Sequence, residues 1–125
     1  ARQLLQLLKE SNVRTALVTG SMHRMAQAVA DQIGFDAFDV IVGGDDVING
    51  KPHPESYLRA AQMLGVDPTN CVAFEDSLTG ISAAEAAGTR AVGIPHIVEI
   101  PAAEGRILWP TLEGVTMADL KALFA

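Results

Sequence analysis

Apolar and polar positions along the 125 residues alternate between two rhythms. Leu4, Leu5 and Leu8 recur at helical spacing, and Lys9, Glu10 and Ser11 close that element. Thr15-Ala16-Leu17-Val18 is a short apolar run ending at Thr19-Gly20-Ser21, the pattern of a buried strand that leaves its sheet at a small-residue turn. Met22, Met25, Val29 and Ile33 fall on one face of a predicted helix stopped at Gly34. Val40-Ile41-Val42 predicts a second strand, followed by a polar loop from Gly43 to Pro52. Pro54 sits where a first helical turn tolerates proline, and Tyr57, Leu58, Ala61 and Leu64 continue at helical spacing up to Gly65. Cys71-Val72-Ala73-Phe74 predicts a third strand running into Glu75-Asp76. Ser77 suits the N-cap of a helix through Ala87 that Gly88 ends, and Arg90 to Ile94 predicts a fourth strand. Beyond Pro95, the breakers Pro101, Gly105, Pro110 and Gly114 predict a loop with one short strand at Ile107-Leu108. Met117 to Phe124 closes the chain as a helix with Leu120, Leu123 and Phe124 on its apolar side.

Strand and helix in alternation, with near-continuous apolar strands, predict an α/β fold whose mainly parallel sheet is covered on both faces. Chemistry in such sheets gathers beyond the carboxyl ends of the strands. Thr19-Gly20-Ser21, Asp45-Asp46 and Glu75-Asp76 each directly follow a predicted strand, so a site is expected where they meet.

Charge and cysteine content narrow the classes. Nine Lys and Arg against fifteen Asp and Glu give a net charge of −6, which argues against a nucleic-acid or anionic-membrane binder. The single cysteine, Cys71, excludes an internal disulfide and a cysteine zinc cluster, and fits a reducing compartment, pointing to the cytoplasm. No apolar run reaches the roughly 18 residues of a membrane-spanning helix, and no signal peptide opens the chain. The chain starts at Ala1 without an initiating Met and enters a helical pattern with no cap before it. A processed N-terminus or a piece of a longer polypeptide is expected.

Three constellations carry candidate chemistry. Glu75-Asp76 places two carboxylates at a strand end with no basic neighbour in sequence; a hard cation such as Mg²⁺ would relieve them, while the alternative has Asp76 capping a helix and Glu75 in solvent. Thr19-Gly20-Ser21 offers hydroxyls, backbone N–H groups and a helix N-terminus to an anion, or else Ser21 is an ordinary N-cap. Lys51, in Gly50-Lys51-Pro52-His53-Pro54, stands on a stem stiffened by two prolines and can neutralise a phosphate or a carboxylate cluster; the alternative is a solvated loop lysine. His23 and His53 lack partners at metal-ligand spacing and are expected at the surface. Cys71 is expected mid-strand in the core, Trp109 packed against the core, and Met22, Met25 and Met63 as helix-face filler.

In their order, Thr19-Gly20-Ser21 after a strand, the Lys51-Pro52-His53-Pro54-Glu55-Ser56-Tyr57 stretch, and Phe74-Glu75-Asp76-Ser77-Leu78-Thr79-Gly80-Ile81-Ser82-Ala83-Ala84 with Ala87-Gly88 resemble the haloacid dehalogenase (HAD) superfamily, and within it the β-phosphoglucomutase-like phosphatases. The resemblance implies a Rossmann-like three-layer α/β/α core and a Mg²⁺-dependent phosphatase acting on a small phosphorylated metabolite through an aspartyl-phosphate. By position it implies that Thr19, with amides around Gly20 and Ser21, binds the phosphoryl oxygens, that Lys51 neutralises nucleophile and phosphoryl group, and that Asp76 holds Mg²⁺ with Glu75 as a neighbouring ligand or supporting partner.

The chain departs from the family by lacking the Asp-x-Asp-Gly-Thr element, which carries the nucleophile on the first strand, and the helical cap that follows it. That strand is central in the family, between the strands ending at Thr19 and Phe74, so each of these is expected to expose an unpaired edge. Residues 1–125 are therefore expected to be the C-terminal part of a HAD-type core, inactive alone and partnered by an N-terminal part of the same protein. The alternatives are a sugar phosphomutase, a receiver-type phosphoacceptor domain, whose motif order would differ, and a non-catalytic domain.

Overall fold

A computed structural model describes residues 2–96 and 99–125. Helix α1 spans Arg2–Glu10, strand β1 Ala16–Val18, helix α2 His23–Asp31 and strand β2 Val40–Val42. After a 3₁₀ turn at Gly44–Asp46 come helix α3, Glu55–Leu64, a second 3₁₀ turn at Pro68–Asn70, strand β3, Val72–Glu75, and helix α4, Leu78–Ala86. Strands β4, Arg90–Gly93, and β5, Ile107–Leu108, precede the last helix α5, Met117–Ala122. Among the described residues all strand pairings are parallel, as the uninterrupted apolar runs predict.

The strands form two separate sheets, β1-β2 and β3-β4-β5. Ala16 pairs with Val40 and Val18 with Val42; Val72 pairs with Arg90 and Glu75 with Gly93. These registers bring the loops after β1 and β2 together at one end, and the Glu75-Asp76 turn beside the end of β4. Thr15 starts the first pair by donating its N–H to Asp39 Oδ2 at 2.8 Å and its hydroxyl to the Ala37 carbonyl at 2.5 Å.

Helix α3 packs on both β1 and β2 and also on α4, which itself covers β3 and β4, so the two helices tie the sheets together. The main core lies on the β3-β4 side, where Tyr57, Ala73, Ile81, Ala83, Ala84, Ala87, Ala91 and Ile100 cluster. Its alanines let α4 sit close to the strands, and Ile81 and Val92 are completely buried. Between the outer edges of β1 and β3 lies a slot of about 580 Å³, its walls including Leu8, Leu17, Val18, Ala61, Val72 and Phe74. Neither of those edges pairs with a further strand among the described residues.

Several sequence expectations need correction. The Met22-Met25-Val29 face of α2 is open to solvent, with Met25 57% and Val29 62% exposed; α2 buries Ala26 instead, because its close approach to β2 needs a small residue. Met63 and Leu58 on α3 are likewise exposed, while Tyr57, Ala60 and Ala61 are buried. Cys71 precedes β3 as the C-cap of the Pro68–Asn70 turn and is half-buried rather than mid-strand. Its thiol is pushed up chiefly by burial, which keeps it a poor nucleophile. Phe124 lies beyond α5 and is exposed. Trp109 does pack inward, its ring 6.1 Å from that of Phe74.

Candidate active site

Four loops follow four strand or turn ends, and each is fixed by its own chemistry. In the first, Thr19 donates its N–H to the Val42 carbonyl at 3.0 Å, extending the β1-β2 ladder, and its Oγ1 accepts the Ser21 N–H at 3.1 Å. Ser21 does not cap α2; the N-cap position falls to Met22, which offers no side-chain acceptor. The vacancy is filled from the second loop, where Asp45 Oδ1 accepts the His23 N–H at 2.7 Å. Gly44 donates to the Ser21 carbonyl at 2.7 Å, and a Cβ on Gly44 would collide with the Gly20 carbonyl, so only glycine lets the two loops close on each other.

His23 is part of this interlock rather than a solvated surface residue: its Nδ1 lies 2.5 Å from Asp46 Oδ2. The same carboxylate oxygen accepts the Gly43 N–H at 2.7 Å. That backbone donor, followed by His23, holds the Asp46 carboxyl below its usual value. Of the anion-binding amides expected near Gly20 and Ser21, those of Ser21 and His23 are therefore already used within the protein. Among the described residues the Thr19 hydroxyl proton and the Gly20 N–H have no acceptor and remain for an anion.

The third loop positions Lys51. Glu55, at the start of α3, accepts the Ile48 N–H at 2.8 Å and the Asn49 N–H at 3.0 Å, gripping the segment just before the lysine. These donors hold the Glu55 carboxyl below its ordinary range. The Lys51-Pro52 bond is cis, and His53 stays at the surface, its Nδ1 accepting the Glu55 N–H at 3.1 Å. Lys51 is not a solvated loop residue: its Nζ donates to the Val18 carbonyl at 3.1 Å and to Glu75 Oε2 at 2.5 Å. It thus bridges the ends of β1 and β3, strands of different sheets.

The fourth loop carries the acids. Ser77 caps α4 by accepting the Gly80 N–H at 3.1 Å, so Asp76 is not the cap and Glu75 does not face solvent. The Glu75 side chain is 9% exposed, and its Oε2 accepts from both Lys51 and the Tyr57 hydroxyl. Burial first, and then the charge of Glu75, push the Tyr57 phenol far above its ordinary range, so it stays a donor. Asp76 is exposed and near enough to add to that shift. Tyr57 is the site residue that sequence reasoning missed; a phenol on the buried face of α3, in line with Ala60 and Ala61, was the available signal, since buried hydroxyls need partners.

Lys51, Glu75, Asp76 and Tyr57 therefore meet at one end of the molecule, with Thr19 one residue beyond the carbonyl that Lys51 binds. Val18, Tyr57 and Phe74 also line the apolar slot, so the slot adjoins this cluster. Among the described residues no group of three or more His, Cys, Asp or Glu could enclose a metal ion. The pair Glu75-Asp76 nevertheless suits a hard cation that takes one or two carboxylates and completes its shell with water and phosphate. Among the described residues none donates a hydrogen bond to Glu75 Oε1, which lies where a Cβ on Gly80 would sit, a cradle that only glycine leaves open.

Comparison with known proteins shows the family. A family model described as haloacid dehalogenase-like hydrolase matches residues 1–88. The chain is 40% identical over 97 residues to a phosphorylated carbohydrates phosphatase of Thermotoga maritima, covering 76% of this chain and 45% of that protein. It is 45% identical over 80 residues to the fructose-1-phosphate phosphatase YqaB of Escherichia coli, covering 63% and 43% of the two. The crystal structure of a β-phosphoglucomutase from Clostridium difficile superposes with a TM-score of 0.83 at 28% identity, over 98% of this chain and 53% of that one. The chain thus spans less than half the length of these two phosphatases. With a family model matching 88 of its 125 residues, the chain belongs to the haloacid dehalogenase-like hydrolases.

Proposed function

We propose that residues 1–125 form the C-terminal part of the core of a Mg²⁺-dependent phosphatase for a small phosphorylated metabolite, and that the nucleophilic aspartate comes from an N-terminal part of the same protein. The observation that carries this reading is Lys51, held between Glu75 and the carbonyl of Val18, a residue of the slot wall. A strand filling that slot would pair with both free edges and deliver its last residues beside an ammonium group, an acid pair and the Thr19 hydroxyl. The matched phosphatases extend well beyond the length of this chain, which leaves room for such a segment.

Phosphoryl transfer needs mainly positioning and neutralisation of spreading negative charge. Lys51 supplies a fixed positive charge, and the Thr19 hydroxyl and Gly20 N–H donate to phosphoryl oxygens. Asp76, with Glu75 Oε1, would hold Mg²⁺, which when bound neutralises the phosphoryl oxygens. The carboxylate of the incoming strand attacks phosphorus, the substrate alkoxide leaves, and water resolves the aspartyl-phosphate.

Phosphate release from a panel of sugar phosphates by the full-length protein, with and without MgCl₂, tests this. Mg²⁺-dependent release that Thr19→Ala and Lys51→Ala both depress is expected, and Mg²⁺-independent or absent release contradicts the reading. The likeness to a β-phosphoglucomutase supports a second reading, a sugar phosphomutase. With a hexose 1-phosphate, chromatography separates free hexose from an isomeric hexose phosphate.

A further inference from the structure

The phenol of Tyr57 is absent from the chemistry above, yet it ends on the same oxygen as the lysine. Its ring is fixed in the main core with Ala73 and Ile81, on a helix face whose neighbours Ala60 and Ala61 are also buried. Its hydroxyl therefore comes from a rigid element, whereas Lys51 reaches Glu75 from a loop. The Lys51 ammonium also lies 5.3 Å from the centre of the Tyr57 ring, so ring and hydroxyl both face the ion pair.

A single lysine contact leaves a carboxylate free to turn about its last torsion and present either oxygen. A second donor on the same oxygen, from a fixed direction, removes that freedom. The space for the other oxygen exists because residue 80 has no side chain: a Cβ there would run into Oε1 and Cδ of Glu75. Gly80 is held in place by its N–H bond to the capping Ser77.

We infer that Tyr57 is a positioning residue: with Lys51 it commits Oε2 of Glu75 and leaves Oε1, above Gly80, as the oxygen available to the cation. This rests on the phosphatase reading for the identity of the cation, and its test does not depend on turnover. Tyr57→Phe keeps the ring and removes only the donor. In the full-length protein, calorimetric titration with MgCl₂ in the absence of substrate is expected to show binding weakened about tenfold, with kcat lowered to a similar extent and KM within about twofold. Gly80→Ala, which displaces Oε1 itself, should weaken Mg²⁺ at least as much while the circular dichroism spectrum stays that of the wild type. A Tyr57→Phe protein that binds Mg²⁺ as tightly as the wild type overturns the inference, and so does a wild-type protein that takes no Mg²⁺. If the wild type binds Mg²⁺ but releases no phosphate, the phosphatase reading fails, and the titration of the variant still decides the role of Tyr57.

Discussion

The two sheets differ in how completely they are built. Around β3 and β4, helix α4 seals a continuous alanine-rich core, with Ile81, Ala83 and Val92 at 0% exposure. Around β1, every residue of the strand is only half-buried, and the helix that follows buries a single alanine while its methionine and valine face is open. Both halves have the same local ingredients: a short apolar strand, a small-residue turn and a helix. The difference lies in neighbours. Both β1 and β3 have one edge on the open slot, but α4 packs on both β3 and β4, whereas α2 packs mainly on β2 and leaves β1 to α3. A strand pattern specifies that a segment should be buried, and what buries it has to come from elsewhere in the chain or the protein.

The largest expected effect breaks the link between the halves. Lys51→Ala removes the only side chain that hydrogen-bonds to both the end of β1 and the end of β3 among the described residues. In the full-length enzyme we expect kcat for a phosphomonoester to fall by about 10²–10³-fold, the scale of losing one preorganised charge-stabilising donor. A fall of less than threefold or so would be too small for a group neutralising the transferring phosphoryl.

Next in size is a contrast in stability. Ile81→Ala in the sealed half should lower unfolding free energy by about 3 kcal/mol, by lost burial and the cavity left behind. Met25→Ser on the open face of α2 should change it by less than about 0.5 kcal/mol in the 125-residue chain. Urea titrations of both variants measure this; equal effects would mean that the halves are not built differently. Amide hydrogen exchange sharpens the same point, with Ala91 and Val92 expected to exchange far more slowly than Leu17 and Val18.

The smallest effect concerns the interlock of the loops after β1 and β2. Asp46 has a folded pKa below its ordinary value of 3.8, because of the Gly43 N–H and then His23. A depressed carboxyl stabilises the fold above its ordinary pKa and loses that contribution as pH falls through the folded value. Asp46→Asn should therefore lower the thermal midpoint at pH 7, and the gap from the wild type should shrink as pH drops below about 3.8. A gap that is constant with pH would assign the role to packing alone.

How much was legible in the sequence follows the same division. Strand and helix positions were readable because apolar runs and glycine stops are local signals; Gly65 and Gly88 sit at positive φ where the helices end. Lys51 was readable as a fixed cation from the prolines that follow it. A carboxylate cluster was readable as one kind of partner for it; that the partner is Glu75, 24 residues away, and that Tyr57 shares the same oxygen, was not. The Met stripe of α2 was misjudged because periodicity tells which residues share a face without telling whether anything covers it. The interlock of Asp45, Asp46 and His23 was hidden for a similar reason, since the loops that form it are separated in sequence by all of α2 and β2.

The claim on which the functional account turns is that the site beside the slot is half assembled within these 125 residues. Phosphate release from p-nitrophenyl phosphate in MgCl₂, measured for the purified 125-residue chain beside the full-length protein at equal concentration, tests it most directly. The account predicts sustained release by the full-length protein and none above buffer by the chain alone; steady turnover by the chain alone would contradict it.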